Sequence, residues 1–177
     1  WSEIQSLTMP VAAANQLFGS SMFLHNGRAV IGAPGYENRI GGVGVFHFND
    51  ETNTLDFTLR LSPTTASGNE MFGASQVHDP SHTLWVGAPG ANNREGAAYM
   101  FKPADMMRAF SAKGEVDVQA LQIRSSFGNA MAVGADFVVV GASGYDNGEG
   151  AAIVYNQTES GWEQSTTILH DNGAMDS

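Results

Sequence analysis

The sequence predicts an all-β protein: three four-stranded antiparallel units forming a partial or open β-propeller, with an extra N-terminal strand and one short helical insertion. Three observations predict it. Landmark motifs recur at a near-constant period along the 177 residues. Short Val/Ile/Phe runs are punctuated by 21 glycines, as expected of short strands joined by tight turns. Each period also holds four such runs, and four strands repeated radially or in an array is propeller logic.

The period rests on several landmarks. Phe-Gly pairs stand at Phe18-Gly19, Phe72-Gly73 and Phe127-Gly128, in steps of 54 and 55 residues. A second motif, Gly-Ala-Pro/Ser-Gly, starts at Gly32, Gly87 and Gly141, in steps of 55 and 54. A third, "GGVGVF", "GAAYMF" and "GAAIVY", begins at 41, 96 and 150, nine residues after each of those glycines. The units are therefore placed at about 18–61, 72–123 and 127–169, with 170–177 as a C-terminal tail.

Within a unit the first strand follows Phe-Gly. The second, "RAVIGA", "LWVGA" or "FVVVGA", is almost wholly apolar, as a strand buried on both faces should be. Its glycine permits close approach of another backbone or an aromatic ring. The strand ends on Ala33-Pro34, Ala88-Pro89 or Ala142-Ser143, each followed by a turn glycine. The third strand follows the later glycine. The fourth is an alternating outer segment: "LDFTLRL" (55–61), "VDVQALQI" (116–123) and "WEQSTTIL" (162–169). "KPADMMRAFSAKGE" (102–115) reads as the helical insertion, opened by Pro103 and packed through Met106, Met107 and Phe110.

These motifs resemble the FG-GAP repeat family, the blades of integrin α-subunit propellers and related extracellular proteins. The resemblance covers essentially the whole chain. It implies propeller blades and an extracellular or cell-surface setting, and leaves function open because one fold hosts many. Two departures stand out. Many family blades carry an Asp-rich calcium loop between the first two strands. The matching loops here, "HNGR" (25–28), "HDPSHT" (78–83) and "GAD" (134–136), supply no more than one carboxylate each. Glu37, Glu95, Asp146 and Glu149 in later loops remain sparse, so no cofactor is expected and calcium is poorly supported. The family's closed propellers also have seven blades, whereas three do not readily close a ring. A fragment, an open stack, or chains completing one another's edges all fit that count.

"WSEIQSL" at the N-terminus resembles the outer segment at Trp162. Residues 1–9, with Trp1, Ile4 and Leu7, read as a surplus strand that pairs with a neighbouring copy. The alternative is that it covers an edge of its own chain. Strand addition would make the protein a homo-oligomer through sheet edges, a ring or a filament.

Composition narrows the remaining functions. The net charge is −10, from 8 basic and 18 acidic residues, with no basic cluster, which argues against nucleic acid and anionic membrane surfaces. No apolar run approaches spanning length, so no membrane insertion is expected. Absence of cysteine excludes thiol chemistry and disulfides. His78 and His82 flank Asp79 and Pro80 and read as a surface turn rather than a metal site. His25, His47 and His170 share no spacing with them. Gly-Ala-Pro-Gly lacks the Lys-Ser/Thr end of a phosphate loop. Ser143 simply replaces a proline and sits in no nucleophile elbow. The sequon at Asn156 falls in the turn expected after the third strand of the last unit and is the candidate glycan site. "SPTTAS" (62–67) is a weaker candidate for O-linked sugar. The expectation is a non-enzymatic extracellular structural protein that self-assembles through β-strand edges. An adhesion or ligand-recognition fragment of a larger FG-GAP propeller is the alternative.

Overall fold

The computed structural model describes residues 3–11, 13–63, 68–104, 109–115 and 124–169, with backbone alone for 103–104 and 109–115. The protein is mostly β. Strands β1 (Met22–His25), β2 (Arg28–Ala33), β3 (Gly42–Asn49) and β4 (Thr54–Leu61) form sheet 1 as an antiparallel meander. Sheet 2 repeats the order with β5 (Ser75–His78), β6 (Leu84–Ala88), β7 (Ala97–Ala104) and β8 (Ala109–Glu115). Sheet 3 does so with β9 (Phe127–Val133), β10 (Phe137–Ala142), β11 (Ala151–Thr158) and β12 (Gly161–Leu169). The first strands β1, β5 and β9 neighbour one another in turn.

Between the second and third strand of each sheet lies one helical turn: α1 (Tyr36–Arg39), α2 (Ala91–Arg94) and α3 (Tyr145–Gly148). Their interiors are left-handed. Glu37 and Asn38, Asn92 and Asn93, and Asp146 and Asn147 all have positive φ. Asn, Asp and Gly tolerate that region best, which explains their density after each Gly-Ala-Pro/Ser-Gly.

Two apolar clusters join the sheets. Val30, Val43, Val45 and Leu61 of sheet 1 pack on Leu84, Val86, Ala88, Tyr99 and Phe101 of sheet 2 and on Phe72 just before it. Trp85 and Ala98 of sheet 2 pack on Phe127, Val138, Val140, Ile153 and Tyr155 of sheet 3. β2 and β6 are accordingly buried almost throughout, as two-faced apolar strands should be.

Several expectations need correction. Where a helical insertion is expected at 102–115, the described residues are strand instead: β7 runs on through Lys102, Pro103 and Ala104, and β8 pairs back with Phe110 opposite Pro103. An isolated helix of that length is marginal in water, and ladder pairing satisfies the same backbone groups against a preformed strand. The outer strand of sheet 2 is thus β8. The expected strand at 116–123 lies outside the described residues, as do Met106, Met107, Trp1 and the tail 170–177. Residues 3–9 form no strand. Asn156 lies within β11, opposite Phe137 and Glu163, because the β11–β12 hairpin stays paired through Thr158; its side chain is exposed.

Candidate functional site: the uncovered face of the third sheet

The recurrent motifs build one inter-sheet joint, used twice. Gly32 in β2 and Gly87 in β6 leave a slot into which the next Phe-Gly corner inserts its backbone. A Cβ on Gly32 would fall on the Gly73 carbonyl oxygen, and one on Gly87 on that of Gly128. The corner is held by hydrogen bonds. Ser21 Oγ donates to Gly73 O at 2.8 Å, and Ser75 Oγ to Gly128 O at 2.7 Å. Met71 and Phe72 donate their N–H groups to Arg39 O and Ile40 O at 2.8 and 3.0 Å. Ser126 and Phe127 repeat the pattern on Arg94 O and Glu95 O at 2.9 and 3.0 Å. Gly41 and Gly96, both with positive φ, lie in parallel bridges to Phe72 and Phe127.

Sheet 3 carries the same slot without a partner sheet among the described residues. Gly141 stands where Gly32 and Gly87 stand, and a Cβ there would meet only its own sheet, Asn129 Oδ1 at 3.1 Å being the nearest atom. Gly150, the counterpart of Gly41, has nothing closer than 3.8 Å. β10 is buried on one face only: Phe137 is exposed, and Val139 and Gly141 are half-buried. Leu61 and Ile168 make the contrast plain. They hold equivalent register positions, opposite Val43 and Ala152, yet Leu61 is 6% exposed and Ile168 56%. Ala130 replaces Ser21 and Ser75, so this third slot lacks the hydroxyl donor.

The opposite end of the stack is covered. Met9 is buried against Ala33 and Tyr36, and Leu7 packs on Ala29, Ile31 and Phe46. Met9 occupies the space above Gly44, where a Cβ would come within 2.7 Å of its Sδ. Tyr99 fills the corresponding position in sheet 2 with its own ring, 5.4 Å from that of Phe72. Gln5 places its carboxamide at the edge of β4, donating to Leu55 O at 3.0 Å and accepting from Leu55 N at 2.8 Å. Ile4 is exposed.

Of the other sequence candidates, Phe72, Phe127, Ala33, Ala88 and Ala142 are fully buried, and Phe18 is half-buried against Phe46. Pro34 and Pro89 are buried, and exposed Ser143 donates its N–H to Asn129 Oδ1. Glu37 pairs with Arg60 at 2.9 Å. Glu37, Glu95, Asp146 and Glu149 belong to no metal-competent group among the described residues. His47 is exposed on β3, and His170 lies outside the described residues. His25, His78 and His82 are brought together, which their sequence spacing did not suggest. Among the described residues no helix is long and apolar enough to cross a membrane. No protein-family model matches the chain, and no curated protein matches it.

Proposed function

We propose that this chain is a non-enzymatic structural protein of the FG-GAP type, acting outside the cell or at its surface, that assembles by stacking sheet 3 of one copy against sheet 1 of the next. The observation that carries the reading is the half-covered β10, an apolar strand whose two counterparts are covered on both faces. The occupant is argued from the corner it must supply. Gly19 has the same positive φ as Gly73 and Gly128, and its N–H bonds Gly32 O at 2.9 Å as that of Gly73 bonds Gly87 O at 3.0 Å. A second copy therefore offers a preformed Phe18-Gly19 corner for the Gly141 slot. The segment holding Leu7 and Met9 covers the approaching face of sheet 1, so it supports a removable cover that moves aside on assembly, or crosses to the neighbour's outer edge as an exchanged strand.

Sedimentation velocity over a range of concentrations tests this. The wild type should associate. Gly141→Val and Ile168→Asp should stay monomeric with unchanged circular dichroism, because both residues face outward from sheet 3. Deleting residues 1–9 distinguishes the two roles of the segment: a cover gives stronger association when removed, an exchanged strand weaker. A wild type that remains monomeric throughout sinks self-assembly and assigns the face to a further Phe-Gly unit of a longer polypeptide, the adhesion-propeller reading.

A further inference from the structure

We infer that His25, His78 and His82 form a binding site for a divalent transition-metal ion, zinc above all, that clamps sheet 1 to sheet 2. His25 ends β1, His78 ends β5, and His82 lies in the loop leading to β6. Because β1 and β5 are neighbours in adjacent sheets, equivalent hairpin ends converge. One ring nitrogen from each histidine lies within 4.8 Å of the others. Ring centroids are 4.4 Å apart for His25–His78, 5.3 Å for His25–His82 and 5.6 Å for His78–His82. Tetrahedral zinc with Zn–N bonds of about 2.0–2.1 Å needs nitrogens about 3.3 Å apart, a closure of about 1.5 Å at most, within reach of small side-chain rotations.

A second observation points to a ligand. His25 Nε2 is buried and has no hydrogen-bond partner. A buried ring nitrogen without a partner is costly, and a cation removes that cost. Two further features favour a metal over a shared proton. Phe23 stacks on His78 at 5.3 Å and on His25 at 6.1 Å, walling the rings on one side. Asp79 holds the loop that carries His82, accepting hydrogen bonds from Ser81 Oγ at 2.8 Å, Thr83 N at 2.9 Å and Trp85 Nε1 at 3.1 Å. Its carboxylate is thereby engaged as scaffold. Three imidazoles with an open fourth position suit zinc, and nickel or copper by the same ligand preference.

Titration of the full, tag-free chain with zinc chloride alone tests the site by calorimetry. One equivalent should bind, and the thermal unfolding midpoint should rise with zinc concentration, since the ion binds the folded state. Cobalt(II) should give tetrahedral visible absorption. His82→Gln, at an exposed position, should weaken binding at least tenfold, and His25→Gln likewise. His47→Gln, on the exposed side of β3, should bind as the wild type does. No binding by the wild type, or full binding by His82→Gln and His25→Gln, overturns the inference.

Discussion

Gly87→Ala isolates the physics of the inter-sheet joint. The added methyl would lie on the Gly128 carbonyl oxygen and 2.9 Å from its carbon. Ordinary carbon–carbon contact is about 3.5–4.0 Å, so sheets 2 and 3 must part by roughly 1 Å, and a gap of that size forfeits about a quarter to a half of each dispersion contact. Both atoms are backbone and cannot rotate away. Overpacking of this kind costs about 1–3 kcal/mol. Separation also stretches the Ser75 Oγ–Gly128 O bond, 2.7 Å long and buried, which contributes about 1 kcal/mol. The expected loss is about 2–4 kcal/mol, a large share of the roughly 5–15 kcal/mol that holds a domain folded.

Gly141→Ala is the matched control. Its methyl meets Asn129 Oδ1 at 3.1 Å, the end of a side chain that can turn. In the monomer, at protein concentrations too low for association, replacing a strand glycine by alanine there should be neutral or stabilising by about 0.5–1 kcal/mol. Urea unfolding followed by tryptophan fluorescence reads the difference locally. Trp85 is fully buried and meets Trp162 edge-to-face at 5.1 Å across the joint between sheets 2 and 3. If Gly87→Ala and Gly141→Ala unfold within about 0.5 kcal/mol of each other at equal m-values, the slot is not a contact constraint and the reasoning fails.

Four further outcomes are expected. Met9→Ala should destabilise sheet 1 by about 2–3 kcal/mol, because it empties the space over Gly44, and Met9→Leu should recover most of that in the same urea assay. Asp79→Ala should cost about 2–4 kcal/mol and shift Trp85 emission, since Thr83 N–H and Trp85 Nε1–H lose their acceptor in a buried site. In chelator-treated protein burial, with the nearby His25 and His82, lowers the pKa of His78, so the unfolded chain takes up its proton first. Stability from this group is complete above the unfolded value of about 6.5 and falls as pH drops below it. His25, His82 and Asp79 face the ring, and His78→Gln should flatten the slope. Ala130→Ser restores the hydroxyl present at Ser21 and Ser75, and should tighten self-association about two- to tenfold by sedimentation, the value of one hydrogen bond.

Much of the architecture was legible because it is periodic. The spacing of Phe18, Phe72 and Phe127 against Gly32, Gly87 and Gly141 anticipates the three antiparallel meanders of the described residues, although it sets the outer strand of the second at 116–123 where β8 is Ala109–Glu115. The segment 102–115 reads as a helix because Ala, Met and Arg favour one locally, while the strand at 109–115 is dictated by pairing with β7. The histidine cluster was half visible. His25 and His78 open the matching loops of the first two units, and neighbouring units place matching loops side by side. Taken by themselves, His78 and His82 flank Asp79 and Pro80 and read as no more than a surface turn. What joins them to His25 is contact between sheets, which no local spacing encodes. The cover by Met9 was likewise hidden, although Gly44 is its trace: the third strand has a glycine where Tyr99 and Ile153 stand in the others.

The two ends of the stack are unlike, and this sets the symmetry of any assembly. Sheet 1 presents a projecting Phe-Gly corner beneath its cover, whereas sheet 3 presents a slot at Gly141 flanked by Phe137, Val139 and Ile168. Two slots face to face would leave a void between glycines, and two corners would collide. A two-fold dimer through either end is therefore disfavoured, and the complementary contact is head-to-tail. Such a heterologous contact propagates until its rotation closes a ring, or continues as a filament. The drive is apolar burial at about 25 cal/mol per Å², so association should strengthen on moderate warming and weaken little with salt. The histidine cluster lies between sheets 1 and 2, not at the slot. Zinc should therefore stiffen each copy without bridging copies, leaving assembly and metal binding separable by mutation.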